Sequence, residues 1–522
     1  MAPAWLNDAV FYEIYPQSFY DTNGDGIGDL KGITEKLPYV KSLGCNALWL
    51  NPFYDSPFAD AGYDVRDFKK IAPRYGTESD LKELLDTAHA MGIHVLFDLV
   101  PGHTSNEHPW FKTSCAETSN DLWHRYIWTD CAFTRGDTMP FIGGQAPRNG
   151  TFIVNYFAFQ PALNYGYTQI NEPSWQMPID APAALQTREA MKDIMRYWLH
   201  FGCDGFRVDM ADSLVKNDAP EKKGTMAVWQ DITAAIHEEF PNAALVSEWN
   251  NPRQALNCGF DMDFYLDWGG NGYNSLLRDF QRNTFGEVIS RDNSYFKLDS
   301  DRDMHRFLED YLPAYEATKD KGLWCLITGN HDTNRPAPFL SDMERRLAYT
   351  FLFTMPGAPF LYYGDEIGMR YRWLPTKEGG YQRTGARTPM QWNTEKNMGF
   401  SDAGSDALYL PIDDAPGAPS VQQQEADPNS LLNHMRAVIA LRHRCPDLQA
   451  YSPFTVYSAE KGSRLFAYKR GNLLLATNPG ANNEVLTLDG KYQILFSIGT
   501  PSMFETSVTL PSQSFVILQP CE

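Results

Sequence analysis

Gly205-Phe206-Arg207-Val208-Asp209 is a short apolar run that ends on charge. In an extended strand side chains alternate, so Arg207 and Asp209 fall on one face and Phe206 and Val208 on the other. A cation and a carboxylate together at a strand end have no use in a plain core strand. Seven more runs have the same short, apolar character: Phe11–Tyr15, Asn46–Leu50, Ile93–Leu99, Ala244–Glu248, Met262–Leu266, Leu323–Gly329 and Phe360–Tyr363. Segments of helical periodicity lie between them, among them Glu78–Met91, Thr187–Phe201 and Gly224–Phe240. Strand–helix alternation repeated this often predicts a parallel sheet with crossover helices. Eight such strands predict an α/β fold of the (β/α)8 TIM-barrel type, with chemistry gathered at the C-terminal strand ends.

Two stretches interrupt the alternation. Residues 104–186 follow the third strand and are far longer than an ordinary βα loop; they are read as a domain inserted over the barrel mouth. Beyond a helix at Asn429–Cys445 the pattern turns to short β runs, Phe454–Tyr457, Leu465–Tyr468, Leu473–Thr477, Gln493–Ser497 and Ser514–Leu518. The expected organisation is therefore a barrel over 1–103 and 187–446, the insert at 104–186, and a C-terminal antiparallel β-sandwich over 447–522. The Pro-, Ala- and Gln-rich stretch 402–427 reads as a surface loop.

Composition narrows the function classes. The chain has 522 residues, 43% hydrophobic and 21% charged, which excludes disorder, coiled coil and collagen as its main state. Lys plus Arg is 45 against 65 for Asp plus Glu, a net charge of −20. Such a chain carries no electrostatic footprint for nucleic acid or anionic lipid, so its partners should be neutral or cationic. Thirteen Trp, 27 Tyr and 31 Phe supply rings that could stack on a sugar. The first residues lack a basic and apolar leader, and no run reaches membrane-helix length, so a cytoplasmic location is expected. The 8 Cys are scattered without metal-ligand spacing, and Cys45, Cys203 and Cys325, inside apolar runs, read as small buried thiols.

Four strand ends carry polar groups. Asp98 to His103 ends the third strand, Arg207 and Asp209 the fourth, Ser247-Glu248-Trp249 the fifth, and Gly329-Asn330-His331-Asp332 the seventh. A closed barrel would bring Asp209, Glu248 and Asp332 together with Arg207, His103 and His331. Convergent carboxylates suit glycosidic chemistry, in which a nucleophile and a protonated acid roughly 5–5.5 Å apart retain configuration. Arg207 would keep the neighbouring Asp ionised, and apolar Trp249 would help keep Glu248 protonated.

On these residues the chain resembles the α-amylase superfamily, glycoside hydrolase family 13, from about Phe11 into the C-terminal sandwich. The resemblance implies Asp209 as nucleophile, Glu248 as general acid/base and Asp332 as a third carboxylate that stabilises the transition state. It also implies that Tyr63, Asp64, His103, Arg207 and His331 bind sugar in the first subsite. Gly357-Ala-Pro-Phe-Leu-Tyr-Tyr-Gly-Asp-Glu-Ile-Gly-Met369 matches the eighth-strand signature. Arg387-Thr-Pro-Met-Gln-Trp392 is similar to a motif of the oligo-1,6-glucosidase, α-glucosidase and trehalose synthase branch. Asp21-Thr-Asn-Gly-Asp-Gly-Ile-Gly-Asp29 spaces oxygen donors as an EF-hand-like loop does, without the distal Glu. That branch binds calcium there, which implies a structural Ca2+, with Mg2+ the other cation considered, on Asp21, Asn23, Asp25, the Ile27 carbonyl and Asp29. No organic cofactor is implied.

The departures are informative. Gly102 stands where the family has Asn, a calcium ligand in α-amylases, which argues against that second metal site. In Gln160-Pro-Ala-Leu-Asn164, Ala162 replaces a usual Asp. Asp212 and Ser213 replace the Lys-His pair of endo-acting α-amylases. Met210, after the nucleophile, matches neither the Val of α-1,6 enzymes nor the Ala or Thr of α-1,4 enzymes. The expectation is a retaining exo-acting α-glucosidase on short neutral α-glucoside oligosaccharides, working through a covalent glycosyl-enzyme as a monomer or weak homo-oligomer. A transglycosylase or trehalose synthase-type isomerase is the alternative. An endo-acting α-amylase or a non-catalytic family member ranks below both.

Overall fold

The computed structural model describes residues 2–267, 270–283, 287–379 and 383–521. Its centre is a ring of eight parallel strands: β1 (Phe11–Ile14), β2 (Ala47–Leu50), β3 (His94–Leu99), β4 (Gly205–Val208), β5 (Ala244–Ser247), β6 (Met262–Phe264), β7 (Leu323–Cys325) and β8 (Phe360–Tyr362). They pair in the order β7-β6-β5-β4-β3-β2-β1-β8. The ring closes just beyond β7, where Ile327 bridges Phe360 in parallel. All residues of β1, β2, β4 and β5 are buried, as a parallel sheet covered on both faces requires. Inside the ring Phe11 stacks on Phe360 at 4.2 Å, and Phe264 meets both Phe360 and Trp49, at 4.8 and 5.4 Å.

Each expected barrel strand is present within a few residues of its predicted ends, and the crossover helices follow suit. The helix expected from Thr187 begins earlier, at Pro182, because proline suits a first helical turn. The stretch 402–427 is more than a loop: it contains the helix Val421–Ala426, and buried Asp413 pairs with Arg370 (2.6 Å) and Arg372 (3.2 Å). Between β3 and the helix Pro182–Phe201 the long segment carries a small hairpin, Phe141–Gly143 with Thr151–Ile153, and bridges back to the barrel at His103–Ala162. After Leu448 a five-stranded antiparallel sheet faces a three-stranded one. The three strands of the second sheet (Glu484–Thr487, Ser502–Met503, Ser507–Leu510) were not among the runs read from the sequence.

Gly205 opens the strand that aims Arg207 and Asp209. Its φ is +143°, and a Cβ there would lie 1.9 Å from the Ala244 carbonyl oxygen. Only glycine lets β4 and β5 pair this closely. Gly417 also has a left-handed φ, +75°, with open space around it. We expect Gly205→Ala to lose about 3 kcal/mol, the upper end for an overpacked site, and Gly417→Ala about 1–2 kcal/mol. Thermal unfolding of the two variants checks this; equal losses would contradict it.

Candidate functional site

The C-terminal strand ends surround a cavity of about 190 Å3, small beside the roughly 300–1,000 Å3 of sites for drug-sized ligands. Asp209 follows β4, Glu248 follows β5, and Asp332 follows the extension of β7; all three line it, with Tyr63 and His103. Main-chain bonds seat two of the carboxylates: Asp209 N donates to the Leu99 carbonyl (2.8 Å) and Glu248 N to the Val208 carbonyl (2.9 Å).

Arg207 and His331 stand behind the cavity wall, each 1% exposed. The guanidinium of Arg207 holds three carboxyl groups. Its Nη1 donates to Asp98 (2.9 Å) and Asp209 (3.0 Å), and its Nη2 is 2.8 Å from Glu248 Oε2. One fork thus gathers the two carboxyls that flank the cavity. Burial pushes the Glu248 carboxyl up to about 8, opposed by Arg207 and reinforced by the charge of Asp209. Burial also raises Asp209 and Asp98, against the pull of the same guanidinium. Glu248 is raised further than Asp209, so of the two it holds its proton to the higher pH. The Met210 amide also donates to Glu248, at 2.9 Å. That amide is turned toward it by a left-handed Met210, φ +43°.

His331 is fixed from below. Its Nδ1 lies 2.8 Å from Glu13 Oε1, and its Nε2 lies 2.8 Å from the Tyr63 hydroxyl. Burial lowers the His331 pKa and raises that of Glu13. Tyr63 donates to Asp98 Oδ2 at 2.9 Å, so its hydroxyl oxygen accepts from His331 Nε2. The chain ends at Arg207's own partner.

Asp332 lies in a separate cationic clamp. Its Oδ1 accepts from Arg387 (2.7 Å) and Arg383 (3.0 Å), and its Oδ2 is 3.4 Å from His331 Nε2. Burial works against its charge, but His331, Arg383 and Arg387 outweigh burial and hold the carboxyl far below the usual range. Arg383 also pairs with Asp60, which accepts from Gln160 at 2.7 Å. The Asp60–Arg383–Asp332 bridge closes one side of the cavity.

Asp64 requires a correction. It is wholly buried and does not line the cavity. Its oxygens accept from Ser56 Oγ (3.0 Å), Asp60 N (3.0 Å) and Ala59 N (2.9 Å). It shapes the turn that presents Asp60 and Tyr63, and Asp60, itself buried, lines the cavity where Asp64 had been expected. Asp60, Arg383, Tyr156 and Glu13 were all missed in the sequence. Asp60 had a signal in its place three residues before Tyr63, whereas Arg383 belongs to no motif and meets Asp332 only through the fold.

Asp21, Asn23, Asp25, Ile27 and Asp29 share one loop. Asp21 accepts from the amides of Asn23, Gly24 and Gly26 and from Ser401. Asn23 and Asp25 each accept from the amide two residues on, and Asp29 caps the helix Leu30–Leu43. All the donors are hard oxygens with a lone pair to spare, which suits Ca2+ or Mg2+. Among the described residues no three His, Cys, Asp or Glu side chains cluster around one point.

Residues 13–450 match the family model "Alpha amylase, catalytic domain". The chain is 35% identical to trehalose synthase/amylase TreS of Mycolicibacterium smegmatis, over 84% of this chain and 76% of that one. It is 30% identical to the oligo-1,6-glucosidase of Heyndrickxia coagulans over 92% of each, and 30% identical to the α-glucosidase of Pediococcus pentosaceus over 90% and 89%. Among solved structures, the trehalulose synthase MutB of Pseudomonas mesoacidophila MX-45 has the same fold, with a TM-score of 0.81 at 24% identity over 99% and 100% of the two chains.

Asp64 and Asp60 are separable by their effects. Asp64→Ala strands three donors, each worth about 1–3 kcal/mol when left unpaired in the interior, and should lower the melting midpoint by many degrees. Asp60→Asn keeps the shape and should leave the midpoint close to wild type. Differential scanning calorimetry of both variants checks this; a larger loss for Asp60→Asn would contradict the assignment.

Proposed function

The chain belongs to the family of α-amylase catalytic domains, and on that premise we propose a retaining, exo-acting α-glucosidase that removes single glucosyl units from short α-glucosides. The observation that carries the exo reading is the Asp60–Arg383–Asp332 bridge, which turns one side of a small cavity into a wall. A blind cavity takes a chain end and not the middle of a polymer. Asp212 and Ser213, in place of a polymer enzyme's Lys-His pair, agree with that.

In the proposed reaction Glu248 gives its proton to the glycosidic oxygen as Asp209, ionised beside Arg207, attacks the anomeric carbon. The C–O bond breaks, the leaving sugar departs neutral, and a glucosyl ester forms on Asp209. Glu248, now a carboxylate, takes a proton from water, which attacks the ester and restores both groups with configuration retained. Asp332, held ionised, accepts hydroxyl hydrogen bonds from the glucosyl ring, and Tyr63 offers it a stacking face. Transfer of the glucosyl unit to a sugar acceptor, the second reading, is favoured by the 35% identity to a trehalose synthase/amylase. Eight free thiols among the described residues fit a reducing cytoplasm, and among those residues no helix is long and apolar enough to cross a membrane.

Time-resolved product analysis on maltose, isomaltose, maltotriose, trehalose and soluble starch tests the reading. Free glucose equal to bonds cleaved, with starch nearly inert, is the expected result. Maltose–trehalose interconversion would move the protein to the transfer class, and a ladder of starch fragments would overturn the exo reading. On the best substrate, kcat/KM should fall on the acid side as Asp209 takes up its proton and on the alkaline side, near pH 8, as Glu248 loses its proton. Activity still rising beyond pH 9 would contradict the assignment.

We further propose that the 21–29 loop holds one structural Ca2+, tying it to the Phe400–Ser401 segment that Asp21 already meets. Chelation should lower the melting midpoint by several degrees, with calcium restoring it. An unchanged midpoint would remove the metal from the account.

A further inference from the structure

Gly102, the position that departs from the family pattern, lies against the side chain of Asn155. A Cβ on residue 102 would sit 2.7 Å from Asn155 Nδ2, closer than packed atoms tolerate. The space a larger residue would need is thus filled by an amide from the long segment over the barrel mouth. That amide has three neighbours. Its Nδ2 lies 3.1 Å from His103 Nδ1 and 3.9 Å from Met210 Sδ, and its Oδ1 lies 3.0 Å from Lys216 Nζ.

Lys216 is 4% exposed, and its Nζ also donates to the Ser213 carbonyl at 2.7 Å. An ammonium only donates, so the oxygen of Asn155 must face Lys216 and the NH2 must face His103. Nδ1 of His103 then has to accept. Burial keeps the ring neutral, its pKa lowered to about 4, so its single proton is on Nε2. That nitrogen lies 3.1 Å from the Tyr63 carbonyl, an acceptor with no proton to give. Both ends of the chain demand the same tautomer.

We propose that Asn155 is a positioning residue that transmits the orientation set by Lys216 to His103, fixing the Nε2–H tautomer beside the glucosyl cavity. Gly102 is then the residue that leaves it room. His103 lines the cavity, so its Nε2–H has a fixed direction and would be shared between the Tyr63 carbonyl and a substrate hydroxyl. The same amide touches Met210, next to the nucleophile, so its loss would be felt on both sides of the cavity. The substrate half of this inference rests on the glucosidase reading; the tautomer half does not.

The test is 15N NMR of the histidine rings in the full chain, with His103 assigned from the spectrum of His103→Gln. In the free wild-type protein His103 should carry its proton on Nε2. Asn155→Asp still accepts from Lys216 but cannot donate, so Nδ1 should take up a second proton while Nε2 keeps the one it gives to Tyr63, and the ring should titrate above its wild-type value. KM for the best short α-glucoside should rise about threefold to tenfold, one neutral hydrogen bond's worth, with kcat changed less. Gly102→Ala should raise KM similarly, and its effect should vanish in Gly102→Ala/Asn155→Ala, where the clash is gone. A wild-type ring protonated on Nδ1, or a double variant whose penalties simply add, would overturn the inference. If Asn155→Asp does not fold, the wild-type spectrum and the Gly102 cycle still decide it. A protein inert toward every α-glucoside but with His103 as the Nε2–H tautomer would refute the functional reading and leave the Asn155 chain standing.

Discussion

A guanidinium with 1% exposure at the centre of the barrel mouth, that of Arg207, cannot exist without counter-charge. An isolated buried charge costs far more than any fold can spare. Asp98, Asp209 and Glu248 answer it, each within 3.0 Å. Three carboxyls cannot all ionise around one cation in a desolvated site, so at least one keeps its proton. Glu248, desolvated by burial and next to Asp209, is raised furthest from its ordinary range, although Arg207 and the Met210 amide pull it the other way. In the proposed reaction the acid and the nucleophile are thus two consequences of one buried cation.

The second cationic centre is kept apart from the first. Arg383 and Arg387 surround Asp332 and hold it ionised, and Arg387 also binds Glu378 at 2.7 Å and the His331 carbonyl at 2.9 Å. Between the two centres runs the hydrogen-bonded chain Glu13–His331–Tyr63–Asp98. Held between His331 Nε2 and Asp98 Oδ2, the Tyr63 hydroxyl fixes the orientation in which the ring is presented to the cavity.

Legibility in the sequence followed the range of the interaction. The eight barrel strands could be read because each is a local apolar run whose burial on both faces needs no partner to be named. Asp209, Glu248 and Asp332 could be read because each sits at the end of such a run. The failures lie where a residue's role depends on something distant in the chain. Asp64 and Asp60 are four residues apart and both acidic; only the folded turn decides which one spends its oxygens on backbone amides. Arg383 is 51 positions from Asp332, and its function exists only through that contact. Asp413 anchors a stretch whose Pro-rich composition reads as loop, because its partners are Arg370 and Arg372. The strands at Ser502–Met503 and Glu484–Thr487 are too short, and their outer faces too polar, for alternation to mark them.

In the proposed reaction one buried arginine leaves Asp209 as the nucleophile and Glu248 as the acid. Incubation with a fluorinated glucosyl fluoride that forms its ester quickly and hydrolyses slowly, followed by intact-mass and peptide mass spectrometry, tests it most directly. The account predicts one added fluoroglucosyl unit, carried by the peptide that contains Asp209. Label on Glu248 or Asp332, or turnover of the probe with no covalent adduct, would contradict it.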